Sequence, residues 1–301
     1  MQDTVYTVDM IYSVDTPDVM LHVNRVGEGP VVVLVPGGGG DAAMYQDLVP
    51  VLARRFSVIT YDRRGNSRSR WKESPGALRV QDAQRIDLDA QATDLVAILD
   101  HAGLDKAFVF GSSAGAAITL TLLTSYAHRI AGAVVHELPA IRVLPDAAER
   151  QALFDDLARI TDREGALPAM LKFAATTMDR PPRLFEHRFG RTVGAMAIKL
   201  SNLFVPKDND MRRLFGNADL LMRFEVPLFI RYLPDVAALR RTGVRWAFGV
   251  GQVSGGRYYS RPARQLSAEL GVPCLEFPGG HLGYQQHAEE FARRLEEFID
   301  G

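Results

Sequence analysis

Ala107-Phe108-Val109-Phe110-Gly111-Ser112-Ser113-Ala114-Gly115-Ala116-Ala117-Ile118-Thr119-Leu120 is the stretch on which the reading of the whole chain turns. Ala107–Phe110 suits a short apolar strand, and Ala116–Tyr126 is apolar nearly all round, as in a helix buried against a sheet. Between them stands Gly-x-Ser-x-Gly with Ser113 at its centre. A serine hydroxyl is a weak nucleophile, and a tight, exposed strand-to-helix turn is the shape that presents it. Gly111 and Gly115 leave room for that turn, because larger side chains there would collide with neighbouring backbone. The Ala114 amide would then stand at a helix N-terminus, where it can bind a developing oxyanion. The competing reading is a serine that only caps the helix, which suits Ser112 better.

Outward from this stretch, strands and helices alternate. Val5–Val14 and Val19–Val26 read as a hairpin split by Asp15-Thr16-Pro17-Asp18. Val31–Val35 is the kind of continuous run expected of a strand buried on both faces, and it ends in Pro36 and four glycines, Gly37 to Gly40. A helix is predicted over Ala43–Arg54, with Pro50 its awkward residue. A strand follows over Phe56–Tyr61, then the polar turn Asp62-Arg63-Arg64-Gly65-Asn66-Ser67. Ile86–Ala102 has an amphipathic helical pattern closed by Gly103. Ile130–His136 makes a sixth strand. From Leu138 to Thr242 the pattern is helical and repeatedly broken by proline. The alternation returns with a strand over Val244–Val250, a helix over Ser260–Leu270 and a strand over Pro273–Phe277. The turn Pro278-Gly279-Gly280-His281 and a helix over Gln285–Asp300 close the chain. The expectation is an α/β fold with a parallel sheet covered on both faces. Residues 1–137 and 243–301 would form the core, and 138–242 a helical insertion after the sixth strand.

Composition narrows the function. The 301 residues carry 35 Lys+Arg against 36 Asp+Glu, a net charge of −1, so electrostatics make no case for nucleic acid or an anionic membrane as partner. A 47% hydrophobic content is ample for a core. The lone cysteine, Cys274, makes neither an intramolecular disulfide nor a metal site by itself. Met1-Gln2-Asp3-Thr4 lacks the basic-then-apolar order of a signal peptide, and no apolar run reaches about 18 residues. These features predict a cytoplasmic protein acting on a small molecule, with a homodimer left open. His136-Glu137 does not begin a zinc motif, since Ala140 stands where H-E-x-x-H needs histidine and Pro139 interrupts the helix. Neither metal nor cofactor is expected.

With its glycine-rich loop at Gly37, Tyr61-Asp62-Arg63-Arg64-Gly65, the turn at Ser113 and Gly279-Gly280-His281, the sequence resembles the α/β-hydrolase superfamily over nearly its whole length. The resemblance implies a mostly parallel, eight-stranded sheet and makes the 138–242 insertion a cap domain. It implies Ser113 as nucleophile and His281 as base, in the chain order of that fold. The acid of the superfamily usually follows the seventh strand, but Gly251–Tyr259 holds no carboxylate. Related hydrolases place the acid at the end of the sixth strand instead, where this chain has Glu137. Glu137 is therefore expected to orient His281. The plain alternative is a glutamate paired with one of the many arginines. The second oxyanion donor is assigned to Gly38, partnering Ala114, against the alternative of a flexible turn.

The function so implied is a cofactor-free serine hydrolase cleaving a carboxylic ester, lactone or thioester through an acyl-enzyme. A serine at the elbow disfavours the epoxide hydrolase and haloalkane dehalogenase branches, which use a carboxylate. Apolar residues of the insertion, among them Phe173, Met178, Phe189, Met196, Leu200, Phe204, Leu221 and Phe229, suggest an apolar or aromatic acyl compound. Three alternatives stand beside it. The same fold could run lyase, perhydrolase or cyclase chemistry, or the protein could bind a small ligand without turnover. In the third, Gly37-x-Gly39-x-x-Ala42 holds a pyrophosphate and Asp62 a ribose, as in dinucleotide sites, but Ser113 and His281 are then left without roles.

Overall fold

A computed structural model describes residues 10–73 and 85–301; residues 5–9 of the first expected strand lie outside the described residues. The strands are β1 (Met10–Asp15), β2 (Val19–Val26), β3 (Val31–Val35), β4 (Ser57–Tyr61), β5 (Arg70–Trp71), β6 (Ala107–Ser112), β7 (Ile130–His136), β8 (Trp246–Gly251) and β9 (Cys274–Phe277). Among the described residues they form one nine-stranded sheet in the order β1-β2-β4-β3-β6-β7-β8-β9, with β5 joined to β2 at the side. The β1–β2, β2–β4 and β2–β5 pairings are antiparallel, and every pairing from β4 through to β9 is parallel. The fold is therefore the α/β-hydrolase architecture that the sequence implied, with nine strands in place of eight. The extra one, β5, is two residues long and too short to carry a periodicity.

Alternate residues of the continuous apolar strands face opposite layers, which is why those runs lack polar interruptions. Val33, Val35 and Val109 pack on one side with Leu95, Ile118 and Leu266. Val32, Leu34 and Phe108 pack on the other with Leu52, Phe291 and Leu295. Helices Leu88–His101, Ala114–Ser125 and Arg261–Leu270 thus cover the first face, and Ala288–Asp300 covers the second. Two expected helices are broken. Ala43–Arg54 is a 3-10 turn over Ala42–Tyr45 and a short helix over Val49–Leu52, whose first turn holds Pro50 where its missing N–H costs nothing. The last helix is interrupted at His287, which leaves helical geometry with φ −135° and ψ 45° between Gly283–Gln286 and Ala288–Asp300.

Between β7 and β8 the chain runs only through helices and loops, the longest helices being Ala147–Glu164, Ala166–Thr177 and Arg188–Ser201. This segment has an apolar cluster in which Phe154, Leu157, Met170, Met222 and Ile230 are buried together with Tyr258 and Tyr259 of the loop after β8. Among the described residues, no helix is long and apolar enough to cross a membrane.

His136, the last residue of β7, is fully buried among Phe110, Phe277 and Phe291, with ring centroids 5.8, 5.7 and 5.5 Å away. Burial pushes its pKa down to about 4; the Glu137 carboxylate opposes that shift and His281 adds to it. The folded protein therefore takes up this proton only below about pH 4, whereas an unfolded chain takes it up below about 6.5. The stabilising contribution of the neutral ring is complete above about pH 6.5 and is lost as the pH falls toward 4. Urea unfolding across this window will show stability rising with pH in the wild type. In His136→Phe the slope will be shallower by one proton, and an unchanged slope would refute the assignment.

Candidate active site

The parallel register brings the carboxyl ends of β6, β7, β8 and β9 side by side, with Ser112 opposite His136, His136 opposite Gly249 and Gly251 opposite Phe277. The turn after β6 is as tight as the sequence required. A Cβ on Gly115 would lie 2.2 Å from the Val35 carbonyl oxygen, and one on Gly111 would lie 2.2 Å from the Gly115 oxygen. Ser113 is held between them at φ 57° and ψ −118°, a region that side-chain-bearing residues rarely adopt. Its N–H donates to the His136 carbonyl at 2.9 Å, and its half-buried side chain makes no capping hydrogen bond. The capping alternative fails for Ser112 as well. That residue ends β6 in full burial, with its Oγ 2.9 Å from His136 Nδ1.

Glu137 follows β7 with no exposure and a positive φ of 50°. Its backbone N–H donates to Gly249 O at 2.9 Å. One carboxylate oxygen, Oε1, accepts the Gly251 N–H at 2.8 Å, and Oε2 lies 2.7 Å from His281 Nδ1. The arginine-paired alternative does not describe it. Burial by itself would raise the pKa of this carboxyl, but the hydrogen bond from His281 and the neighbouring His136 ring outweigh it and hold the group at about 2. Glu137 is thus an anion through the neutral range, and its contribution to stability is lost only as the pH falls below its ordinary 4.5 toward 2. His281 is 4% exposed, and the Tyr259 ring packs against it with centroids 4.3 Å apart.

The glycine loop completes the floor. The Gly37 N–H is occupied by the Met44 sulfur at 2.9 Å, whereas the Gly38 N–H meets no acceptor among the described residues. Gly38, Ser113 and Ala114 line one cavity with Pro139. Its walls are Phe154, Phe173, Leu221, Val226, Phe229 and Ile230, all from the β7–β8 segment. Tyr258 adds a hydroxyl to the wall, 3.1 Å from Thr176 Oγ1. The space is only about 20 Å³, room for roughly one water.

Of the apolar residues expected over the site, Phe173, Leu221 and Phe229 reach it. Met178, Phe189, Met196, Leu200 and Phe204 do not, and all five are exposed. The dinucleotide alternative loses its acid. Asp62 has no exposure, and its carboxylate is taken up by the Ala42 N–H and by Arg68. Among the described residues no group of three or more His, Cys, Asp or Glu could hold a metal. Sequence reading passed over Tyr258 and Tyr259; their adjacency in a loop noted only for lacking a carboxylate was the available signal.

The strain at Ser113 has a measurable consequence. Glycine tolerates this conformation and alanine does not, so Ser113→Gly is expected to unfold at higher urea than Ser113→Ala by about 1 kcal/mol. Equal midpoints would mean the turn is not strained.

The family described as "alpha/beta hydrolase fold" matches residues 30–182. A Bacillus subtilis (strain 168) protein named "Uncharacterized hydrolase YraK" is 26% identical over 294 residues, covering 96% of this chain and 95% of the other. A "Zearalenone hydrolase" from Bionectria ochroleuca is 34% identical over 146 residues, 48% of this chain and 52% of that protein. The crystal structure of the enol-lactonase from Burkholderia xenovorans LB400 superposes with a TM-score of 0.66 at 16% identity, over 97% of this chain and all (100%) of the other. With half the chain matched by the family and hydrolases among its relatives, this protein belongs to the alpha/beta hydrolases.

Proposed function

We propose that the chain is a serine hydrolase that cleaves a carboxylic ester or lactone of a small apolar compound through an acyl-enzyme. The observation that carries this reading is the buried 2.7 Å bond between His281 Nδ1 and an ionised Glu137. A carboxylate at Nδ1 fixes the proton there, which in the neutral ring leaves Nε2 as the basic nitrogen.

In this reading Ser113 Oγ attacks the carbonyl carbon and its proton passes to His281 Nε2. The developing oxyanion is received by the Gly38 and Ala114 amides, one without another acceptor among the described residues and one at the first turn of a helix. His281 then protonates the leaving alkoxide, and a water activated by the same ring releases the acyl group. Glu137 stays ionised throughout and stabilises the imidazolium.

The walls support an apolar substrate. Six apolar side chains and one tyrosine engaged by Thr176 offer no partner for a second charge, so a charged acyl group would be desolvated without compensation. The 138–242 segment acts as a cap in this scheme. With room for about one water beneath it, it must move outward to admit substrate.

Intact-mass analysis after exposure to a fluorophosphonate tests the reading. One adduct is expected on the wild type and none on Ser113→Ala. In Glu137→Gln, labelling should slow by about 10²-fold or more, because the ring loses its anionic partner. A folded wild type that takes no adduct, or an adduct that persists in Ser113→Ala, would overturn it.

A further inference from the structure

Arg63 lies outside the machinery described above, yet it is among the most deeply buried large side chains of the protein at 1% exposure. Its guanidinium makes a two-pronged pair with Glu225, Nη1 to Oε1 and Nη2 to Oε2 both at 2.8 Å, and Glu225 is also 1% exposed. Nη1 donates further to Gln91 Oε1 at 2.6 Å, and Asn66 Nδ2 donates to Glu225 at 3.0 Å. The remaining contact is the informative one: Nη2 also donates to the Gly37 carbonyl at 2.8 Å.

That carbonyl belongs to the peptide whose nitrogen is Gly38. The described residues contain no cis peptide, and in a trans peptide the C=O and the following N–H point in opposite directions. A donor that holds the Gly37 oxygen therefore aims the Gly38 N–H the other way, and Gly38 lines the cavity with Ser113. The Gly40 N–H grips the same oxygen at 3.1 Å, and Arg63's own N–H holds Gly40 O at 2.8 Å, so both ends of the glycine turn are tied to this residue. Glu225 comes from the π-turn Leu221–Glu225 of the β7–β8 segment, whose Leu221 also lines the cavity. Arg63 lies with its Cζ 5.5 Å from the centroid of Phe229, a further wall residue.

We propose that Arg63 is a positioning residue: held by Glu225, its guanidinium fixes the Gly37–Gly38 peptide so that the Gly38 amide meets the oxyanion. Seating the segment that carries Glu225 and completing the oxyanion hole are then one event. The inference rests on the serine-hydrolase reading, and its test separates the two.

The test uses Arg63→Met, Arg63→Lys and the double variant Arg63→Met/Glu225→Met, each checked for cooperative thermal unfolding. The double variant removes both buried charges together and is expected to fold even if Arg63→Met leaves Glu225 stranded and does not. Fluorophosphonate inactivation is resolved into its maximal rate and its half-saturating concentration. Affinity is also measured for an aliphatic trifluoromethyl ketone, which forms an oxyanion adduct with the serine. Loss of positioning predicts a maximal rate lower by about 10- to 100-fold and ketone affinity lower by a matching factor, with half-saturation moving less than about threefold. Arg63→Lys, which retains a donor, recovers part of both. A folded variant with the wild-type rate and ketone affinity would overturn the proposal. So would a loss confined to melting temperature or to half-saturation. A wild type that fails to label at Ser113 would instead remove the hydrolase reading itself.

Discussion

A carboxylate without solvent must be met by donors, and Glu137 is a carboxylate without solvent. Its oxygens take the Gly251 N–H from the end of β8 and the His281 imidazole from the loop after β9, while its backbone binds Gly249. Three neighbouring strand ends therefore converge on one anion. The residue before it, His136, gives its carbonyl to the Ser113 N–H. Two of the three non-glycine residues with positive φ among the described residues, Glu137 at 50° and Ser113 at 57°, thus follow the ends of adjacent strands joined by this bond, the third being Ser67 in the turn after β4. At these two positions the surrounding sheet supplies the rigidity that sustains strained backbone.

Much of this was legible because the constraints are local or steric. Gly111 and Gly115 are required by atoms that any strand-to-helix turn of this kind brings close. Glu137 came from the resemblance, whose usual acid position in Gly251–Tyr259 holds no carboxylate, and the β6–β7 register then accounts for its place beside the turn. Periodicity was less informative where it had to say what a face meets. Phe189, Val193, Met196 and Leu200 recur at helical spacing, and that spacing shows that they share a face but not that the face is covered; all four are exposed. Arg63 and Glu225 were invisible as a pair, because 162 residues separate them and each alone reads as surface charge.

The β7–β8 segment is more than a wall. Besides Glu225, it sends Asn217 Nδ2 to the Gly39 carbonyl at 2.7 Å and Arg213 Nε to Asp41 at 2.9 Å. Polar contacts with the glycine loop are costly to break when buried, since each leaves an unsatisfied group behind. Apolar walls can slide with little directional penalty, whereas these bonds specify one seated position. The segment therefore has a preferred register on the core that apolar packing alone could not provide.

With the anion resident at the end of β7, the loop after β8 carries no carboxylate and is released from holding one. In this chain that loop has become aromatic: Tyr259 buttresses the imidazole and Tyr258 walls the cavity. In the proposed mechanism, an acid at the end of β7 leaves this loop as a spare surface against the His281 ring. On that reading, substitutions at Tyr258 can reshape what the cavity accepts while the hydrogen bond between Glu137 and His281 stays intact. On that reading, divergence in substrate range is uncoupled from divergence in proton transfer.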